Sequence, residues 1–381
     1  DALGKYRNFA VPKTGGTPVE LWRDVKINRF VYQPFSARIL GLRNTARELI
    51  MADERKQAIL KETMDAFSFA SYLQIGDFTP DFSALIANTS GNFDSGTWYR
   101  VNGLTGQRSI VGFQRPAIQG MAIGKVSTFS YEAQDGLEIR GILTLPPGRE
   151  PKDLPVIILP HGGPTAHDVE RFDWWAQAFA SRGYAVLQPN FRGSTGRGVA
   201  FVEAGDGEWG KKMQTDKSDG LMALAKSGIV DPSRACIVGA SYGGYAALAG
   251  VTLQQGIYRC AVSVNGVTEL ESTLRDLRTG TRDIITRSFD KQFGPNPDLD
   301  ALSPVNHADK ADAPILLIHG RDDTVVPYAQ SVMMRNALKG KGKEFEFVEL
   351  EGEDHFLSQS DTRMQMLDAT MAFVQKHNPA D

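Results

Sequence analysis

The sequence predicts an α/β protein in two parts. An all-β segment of antiparallel strands covers residues 1–123, and a doubly wound, mostly parallel sheet covers 124–381. Three observations predict this. Before about residue 125, short alternating segments are separated by Gly, Asn, Asp and Thr. After it, apolar runs of strand length alternate with helical stretches. The reactive residue types fall in the loops just after those runs, where open α/β sheets bind ligands.

In chain order, Pro18–Trp22, Ile27–Tyr32, Arg38–Leu42, Ser83–Ala87 and Thr97–Val101 read as antiparallel strands. Asp53–Phe67, rich in Ala, Glu, Lys, Leu and Met, reads as a helix. Phe129–Tyr131 and Leu137–Leu145 flank Asp135-Gly136, a hairpin signal. Val156–Leu159, Ala185–Leu187, Ala235–Val238, Ala261–Val264, Ile315–Ile318 and Glu344–Leu350 are then the strands of the second part. Trp174–Ser181, Lys211–Ala225, Tyr245–Leu253, Tyr328–Leu338 and Thr362–Gln375 are its helices.

The 381 residues carry a net charge of -3, which gives no reason to expect nucleic acid or an anionic membrane as partner. No apolar run approaches the ~18–20 residues of a membrane span. The expectation is a soluble protein, cytoplasmic or periplasmic. The first residue is Asp1 rather than Met, so the chain is expected to be processed or part of a longer one. Cys236 and Cys260 lie in apolar runs and read as free core thiols.

The chemistry begins at Gly239-Ala240-Ser241-Tyr242-Gly243, a G-x-S-x-G match between a strand and a helix. Such a turn lifts a serine hydroxyl out of the sheet for nucleophilic attack. The bland alternative is a chance match in a glycine-containing loop. In this topology the order runs serine, acid, histidine. Of six histidines, His355 sits in a strand-end loop late enough to serve as base. His377 reads as a solvated tail residue, His319 as structural, and His307 lies at the wrong end of its strand. The acid belongs to His319-Gly320-Arg321-Asp322-Asp323. Pattern alone does not choose between Asp322 and Asp323, either of which could instead pair with Arg321. Asp354 is a third candidate, poorly placed as the neighbour of His355. An oxyanion site needs backbone N–H donors, each worth roughly 3 kcal/mol. Tyr242 supplies one, and the loop Pro160-His161-Gly162-Gly163-Pro164 a second. No metal or cofactor is expected, since nothing reads as H-E-x-x-H or paired C-x-x-C.

Taken together, His161-Gly-Gly-Pro164, Asn190-Phe-Arg-Gly-Ser-Thr-Gly196, Gly239-Ala-Ser-Tyr-Gly-Gly-Tyr245, His319-Gly-Arg-Asp-Asp-Thr-Val-Val-Pro327 and Gly352-Glu-Asp-His355 resemble the prolyl oligopeptidase family of serine peptidases, especially its acylaminoacyl-peptidase and dipeptidyl-peptidase branches. The resemblance covers roughly residues 125–381 and implies an α/β-hydrolase fold. It selects Asp323 as the acid and carries the oxyanion donors to Gly163 and Tyr242. It implies a Ser241–Asp323–His355 peptidase acting on short or N-blocked peptides through an acyl-enzyme. It also implies a β-propeller ahead of the catalytic domain, of which residues 1–123 would be the last blade or two. Val325 stands where many members carry a substrate-binding arginine. The loop after the 261–264 strand, with Val267 and Leu270, should line an apolar pocket, unless both are ordinary core residues. The partners expected are a peptide substrate, the missing N-terminal propeller portion and, as an option, a second copy of the chain. The rival readings are a carboxylesterase on the same scaffold and a catalytically silent binding module.

Overall fold

The computed structural model describes residues 7–11, 14–33, 38–44, 48–279 and 283–380. Its contacts divide the chain between Gln119 and Gly120, with Gly91–Phe93 grouped with the second unit.

The first unit is built from antiparallel strands. β1 (Asn8–Ala10) pairs with β2 (Val19–Leu21), and β3 (Ile27–Tyr32), β4 (Ile39–Asn44) and β5 (Leu49–Met51) form a three-stranded sheet. Helix α1 (Glu54–Ala66) starts at Asp53, whose carboxylate accepts from the N–H of Lys56 and caps it. A four-stranded sheet follows in the order β6 (Tyr72–Phe78), β7 (Ala84–Gly91), β8 (Asp94–Asn102) and β9 (Arg108–Phe113). Leu42, Leu60, Phe82, Leu85 and Ala87 centre its small core. Composition had marked α1 and five of the strands. It had not marked β1 and β5, three-residue strands too short to show a period-2 signal, or β6 and β9, where apolar residues mix with Gln, Asp, Arg and Ser.

The second unit is one eight-stranded sheet. Its strands are β10 (Lys125–Glu132), β11 (Glu138–Leu145), β12 (Leu154–Ile158), β13 (Ala185–Asn190), β14 (Val230–Ala240), β15 (Cys260–Val264), β16 (Ile315–Gly320) and β17 (Phe345–Leu350). They lie in the order β10-β11-β13-β12-β14-β15-β16-β17. The hairpin around Asp135-Gly136 is antiparallel, as is β11 against β13; every other pair is parallel. Successive strand side chains point to opposite faces. Ile158, Ile237 and Leu317 therefore join Leu221 and Leu224 of α4 (Lys212–Lys226), Leu248 of α5 (Tyr242–Thr252) and Leu338 of α9 (Ala329–Gly340). Their neighbours Ile157, Val238, Val262 and Ile318 join Phe179 of α2 (Trp174–Ala180) and Phe373 of α10 (Ser360–His377) on the other face. With both faces covered, the strands must read as continuous apolar runs. Truncating one such residue, as in Ile237→Ala, costs about 2–5 kcal/mol.

Two expectations need correction. Cys236 and Cys260 are not free thiols but form a disulfide, with Cα atoms 4.8 Å apart. They are direct partners across the parallel β14–β15 pair, so both side chains leave the same face of the sheet. An apolar run signals burial equally for a thiol and a half-cystine; only strand register reveals the pairing. His377 is not solvated: it ends α10 half-buried, its ring 4.6 Å from that of Phe373. The chain also forms the short α3 (Val199–Glu203) and, beyond β15, α6 (Leu270–Thr279), α7 (Asp283–Phe293) and α8 (Leu299–Leu302). In α6, Leu270 and Leu274 are buried one turn apart while Glu271 and Arg275 face outward, a two-residue stripe too short to announce a helix.

Candidate active site

The site lies at the carboxyl ends of β14, β15, β16 and β17. Ser241 occupies the single residue between β14 and α5, with φ 58° and ψ -121°. That strained backbone holds the side chain out of both elements. Glycines permit the tight turn: a Cβ on Gly239 would lie 2.5 Å from the carbonyl carbon of Gly243, and one on Gly243 would lie 2.2 Å from the Pro160 oxygen. The Ser241 N–H is anchored on the Val264 carbonyl at 2.9 Å.

His355 leaves the β17–α10 loop. Its Nε2 is 3.1 Å from Ser241 Oγ, and its Nδ1 is 2.7 Å from Asp323 Oδ2. A neutral ring donating Nδ1–H to that carboxylate presents its Nε2 lone pair to the serine hydroxyl. Asp323 follows β16, and its Oδ1 accepts from the N–H groups of Val325 and Val326, both at 2.8 Å. Burial alone would raise this carboxyl. Hydrogen bonds from His319 and His355, the field of His355 and the Val326 N–H outweigh it and hold Asp323 well below its ordinary value.

The other candidates separate cleanly. Asp322 is exposed, and its N–H donates to the Glu353 carbonyl at 3.0 Å. Asp354 accepts from the Phe356 N–H and the Ser358 hydroxyl, capping its own loop. Arg321 pairs with Glu349 at 2.6 Å rather than with either aspartate. His319 is fully buried, bonded through Nδ1 to the Ser331 hydroxyl at 2.7 Å and through Nε2 to the Val326 carbonyl at 2.9 Å. Its Nε2 also lies 3.5 Å from Asp323 Oδ2, so it supports the acid as well as the fold. His307 contacts only the Ala301 carbonyl in the described bonds, away from this cluster.

The Pro160–Pro164 loop runs beside the nucleophile: a Cβ on Gly162 would sit 3.4 Å from Ser241 Cβ. His161 braces that loop, with Nδ1 at 2.8 Å from the Gly162 carbonyl and Nε2 at 2.9 Å from Ser194 Oγ. Its ring stacks on Phe191 at 4.5 Å, and burial pushes it down to about 4, so it is neutral at ordinary pH. Gly163 follows with φ 122°. Val267 and Leu270 are buried in an apolar cluster with Tyr242, Trp209 and Val326. Val325 is not part of it; the residue is 52% exposed.

Sequence reasoning missed the ionic support beneath the elbow. Arg192 is bound by Asp216 at 2.7 Å and Asp135 at 2.9 Å, and Lys217 lies fully buried with Nζ 3.8 Å from the Phe191 ring. Charged residues at inward positions of the α4 pattern were the available signal.

The profile of the prolyl oligopeptidase family matches residues 170–379. Dipeptidyl aminopeptidase BIII of Pseudoxanthomonas mexicana is 29% identical over 289 residues, 73% of this chain and 42% of that protein. The human acylamino-acid-releasing enzyme is 25% identical over 64% of this chain and 34% of its own length. Among solved structures, a Mycobacterium tuberculosis puromycin-hydrolyzing peptidase superposes with TM-score 0.78 at 22% identity, covering 100% of this chain and 59% of that one. The Pyrococcus horikoshii acylaminoacyl peptidase gives TM-score 0.70 at 25% identity over 81% of this chain and 50% of that one. The chain thus spans about two fifths of the length of the first curated relatives it matches, 42% and 39%. An α/β-hydrolase sheet, a serine–histidine–aspartate cluster at its carboxyl edge and a profile match over more than half the sequence lead to one assignment: the chain belongs to the prolyl oligopeptidase family.

Proposed function

We infer that the protein is a serine peptidase that cleaves short or N-blocked peptides through an acyl-enzyme. The observation that carries this is the continuous Ser241–His355–Asp323 hydrogen-bond chain, at 3.1 and 2.7 Å. Ser241 Oγ bonds to the substrate carbonyl carbon while its proton passes to His355 Nε2. Asp323 holds the ring and stabilises the imidazolium. The N–H groups of Tyr242 and Gly163 take the oxyanion. Collapse breaks the C–N bond, the amine leaves with the proton from His355, and water releases the acid by the same steps reversed. Peptides are the favoured substrates because the dipeptidyl and acylamino-acid-releasing relatives share the family. Of the three pocket candidates, Val325 is the exposed one able to meet a substrate, while Val267 and Leu270 pack behind Tyr242 as the apolar backing of the site.

The catalytic domain comprises residues 124–381, and residues 1–123 are the final part of a propeller. Edge strand β9 exposes Ile110, Val111 and Phe113, a surface for a further blade or, failing that, a second copy of the chain. Among the described residues no helix is long and apolar enough to cross a membrane. The Cys236–Cys260 bond favours an oxidising compartment such as a periplasm over the cytoplasm.

Fluorophosphonate labelling tests the mechanism. The wild type should label at Ser241 and hydrolyse N-acetylated peptide anilides, and Ser241→Ala should abolish both with an unchanged circular dichroism spectrum. An unlabelled wild type, or an active Ser241→Ala variant, would overturn the reading.

A further inference from the structure

The three reactive loops arise from different strands, and hydrogen bonds within one strand do not hold them in register. Ser241 follows β14, Asp323 follows β16, and His355 follows β17. Between β14 and β16 lies β15, and the residue that follows it is Asn265.

Asn265 is 1% exposed and has φ 49°, a left-handed conformation that asparagine tolerates better than other non-glycine residues. Its backbone N–H donates to the Ile318 carbonyl on β16 at 2.9 Å. The preceding residue, Val264, accepts the N–H of Ser241. The side-chain amide then spans the acid and base loops. Oδ1 accepts from the Gly320 N–H at 2.9 Å, three residues before Asp323. Nδ2 reaches the carbonyls of Asp354 and His355, both at 3.3 Å. The acid and base loops also touch directly, through the Asp322 N–H on the Glu353 carbonyl. One buried amide therefore meets the backbone of the base itself and the turn that carries the acid, from a position adjoining the nucleophile's own anchor.

We propose that Asn265 is a positioning residue that sets the His355 ring against Ser241 and Asp323 by clamping the loops after β16 and β17 together. The donor and acceptor ends are not interchangeable: Gly320 requires an acceptor and the two carbonyls require a donor, so a carboxylate or an apolar side chain satisfies at most half the clamp. The two Nδ2 contacts are long, which suits a group that restrains a loop rather than one that holds it rigid. The role rests on the serine-hydrolase reading for its catalytic meaning, but the clamp itself has a separate signature.

Three variants test it: Asn265→Ala, Asn265→Gly and Asn265→Asp. The readouts are the second-order rate constant of fluorophosphonate labelling across pH, the fraction of sites labelled at completion, and the downfield proton resonance of the His355 Nδ1–H. A displaced imidazole should lower the labelling rate constant by ~10–100-fold in each variant, the loss expected for about 1 Å of misplacement. The fraction of sites labelled should stay complete, and the downfield proton should shift or broaden. Asn265→Gly retains the positive φ without strain, so it should be as slow as Asn265→Ala. Recovery of the wild-type rate in Asn265→Gly would overturn the clamp, showing that backbone strain caused the loss. A wild-type rate constant and pH profile with only a lower labelled fraction or melting temperature would also overturn it, leaving a purely structural role. Should the wild type itself fail to label, the peptidase reading falls. The Nδ1 resonance still decides the clamp, which fails if that proton is unmoved in all three variants.

Discussion

Two buried ionisable centres neighbour the nucleophile elbow, and they are held in opposite ways. Asp323 has two backbone N–H groups on one oxygen and His355 on the other. Its ionised form is so well solvated by the protein that burial fails to raise its pKa. Lys217, beneath Tyr242, has the Met213 carbonyl, the Tyr242 hydroxyl at 3.5 Å and two aromatic faces. Its sequence neighbour Asp216 is committed to Arg192. Burial therefore prevails over the field of Asp216 and pushes the ammonium down to about 7. The lesson is that burial by itself does not decide a charge's fate; the count of aimed partners does.

The largest test of the contrast removes the charge that has every partner. Asp323→Asn should lower peptidase kcat by ~10⁴-fold, because the amide favours the wrong histidine tautomer. Asp322→Asn, at an exposed carboxylate, should leave kcat within a few-fold of wild type; steady-state kinetics on a peptide anilide compares them. A larger loss at 322 would show that the loop places the wrong aspartate.

Next in size is Arg192→Met. It strands Asp216, which is fully buried, and should destabilise the fold by about 3–5 kcal/mol in urea denaturation. If the loss is under about 1 kcal/mol, the Arg192–Asp216 pair is no better solvated than a surface pair.

The smallest effect has the opposite sign. Lys217→Met should stabilise the protein near pH 6 by removing a poorly partnered ammonium. In the wild type the folded pKa is depressed to about 7 while the unfolded value is about 10.4. Between them the unfolded chain binds the extra proton, so wild-type stability rises with pH through that window. The advantage of Lys217→Met should accordingly shrink from pH 7 to pH 10 in paired thermal melts. A gap that is constant with pH would show that Lys217 stays protonated and that its ring contacts suffice.

Much of the site was legible because tight chemistry leaves tight spacing. Gly239-Ala-Ser-Tyr-Gly243 could be read as an elbow since backbones 2.5 Å from a hypothetical Cβ admit only glycine. The choice of Asp323 over Asp322 was not legible from pattern, since both follow the same strand. It came from resemblance, and geometry separates them by burial and by the 2.7 Å bond to His355. The apolar runs of β12 to β16 were equally plain, because both faces of the parallel sheet are covered. The three-residue strands β1 and β5 and the polar-mixed strands β6 and β9 were not.

Local sequence determined which segments are buried strands, where the elbow turns, and which hydroxyl and imidazole are chemically able to meet. Those properties depend on steric room and polarity within a few residues. The Cys236–Cys260 bond, the Asn265 clamp, the support of Asp323 by His319 and the burial of Lys217 were decided only by tertiary structure. Each depends on strand register or on helix-to-sheet packing, which brings together residues from 4 to 90 positions apart.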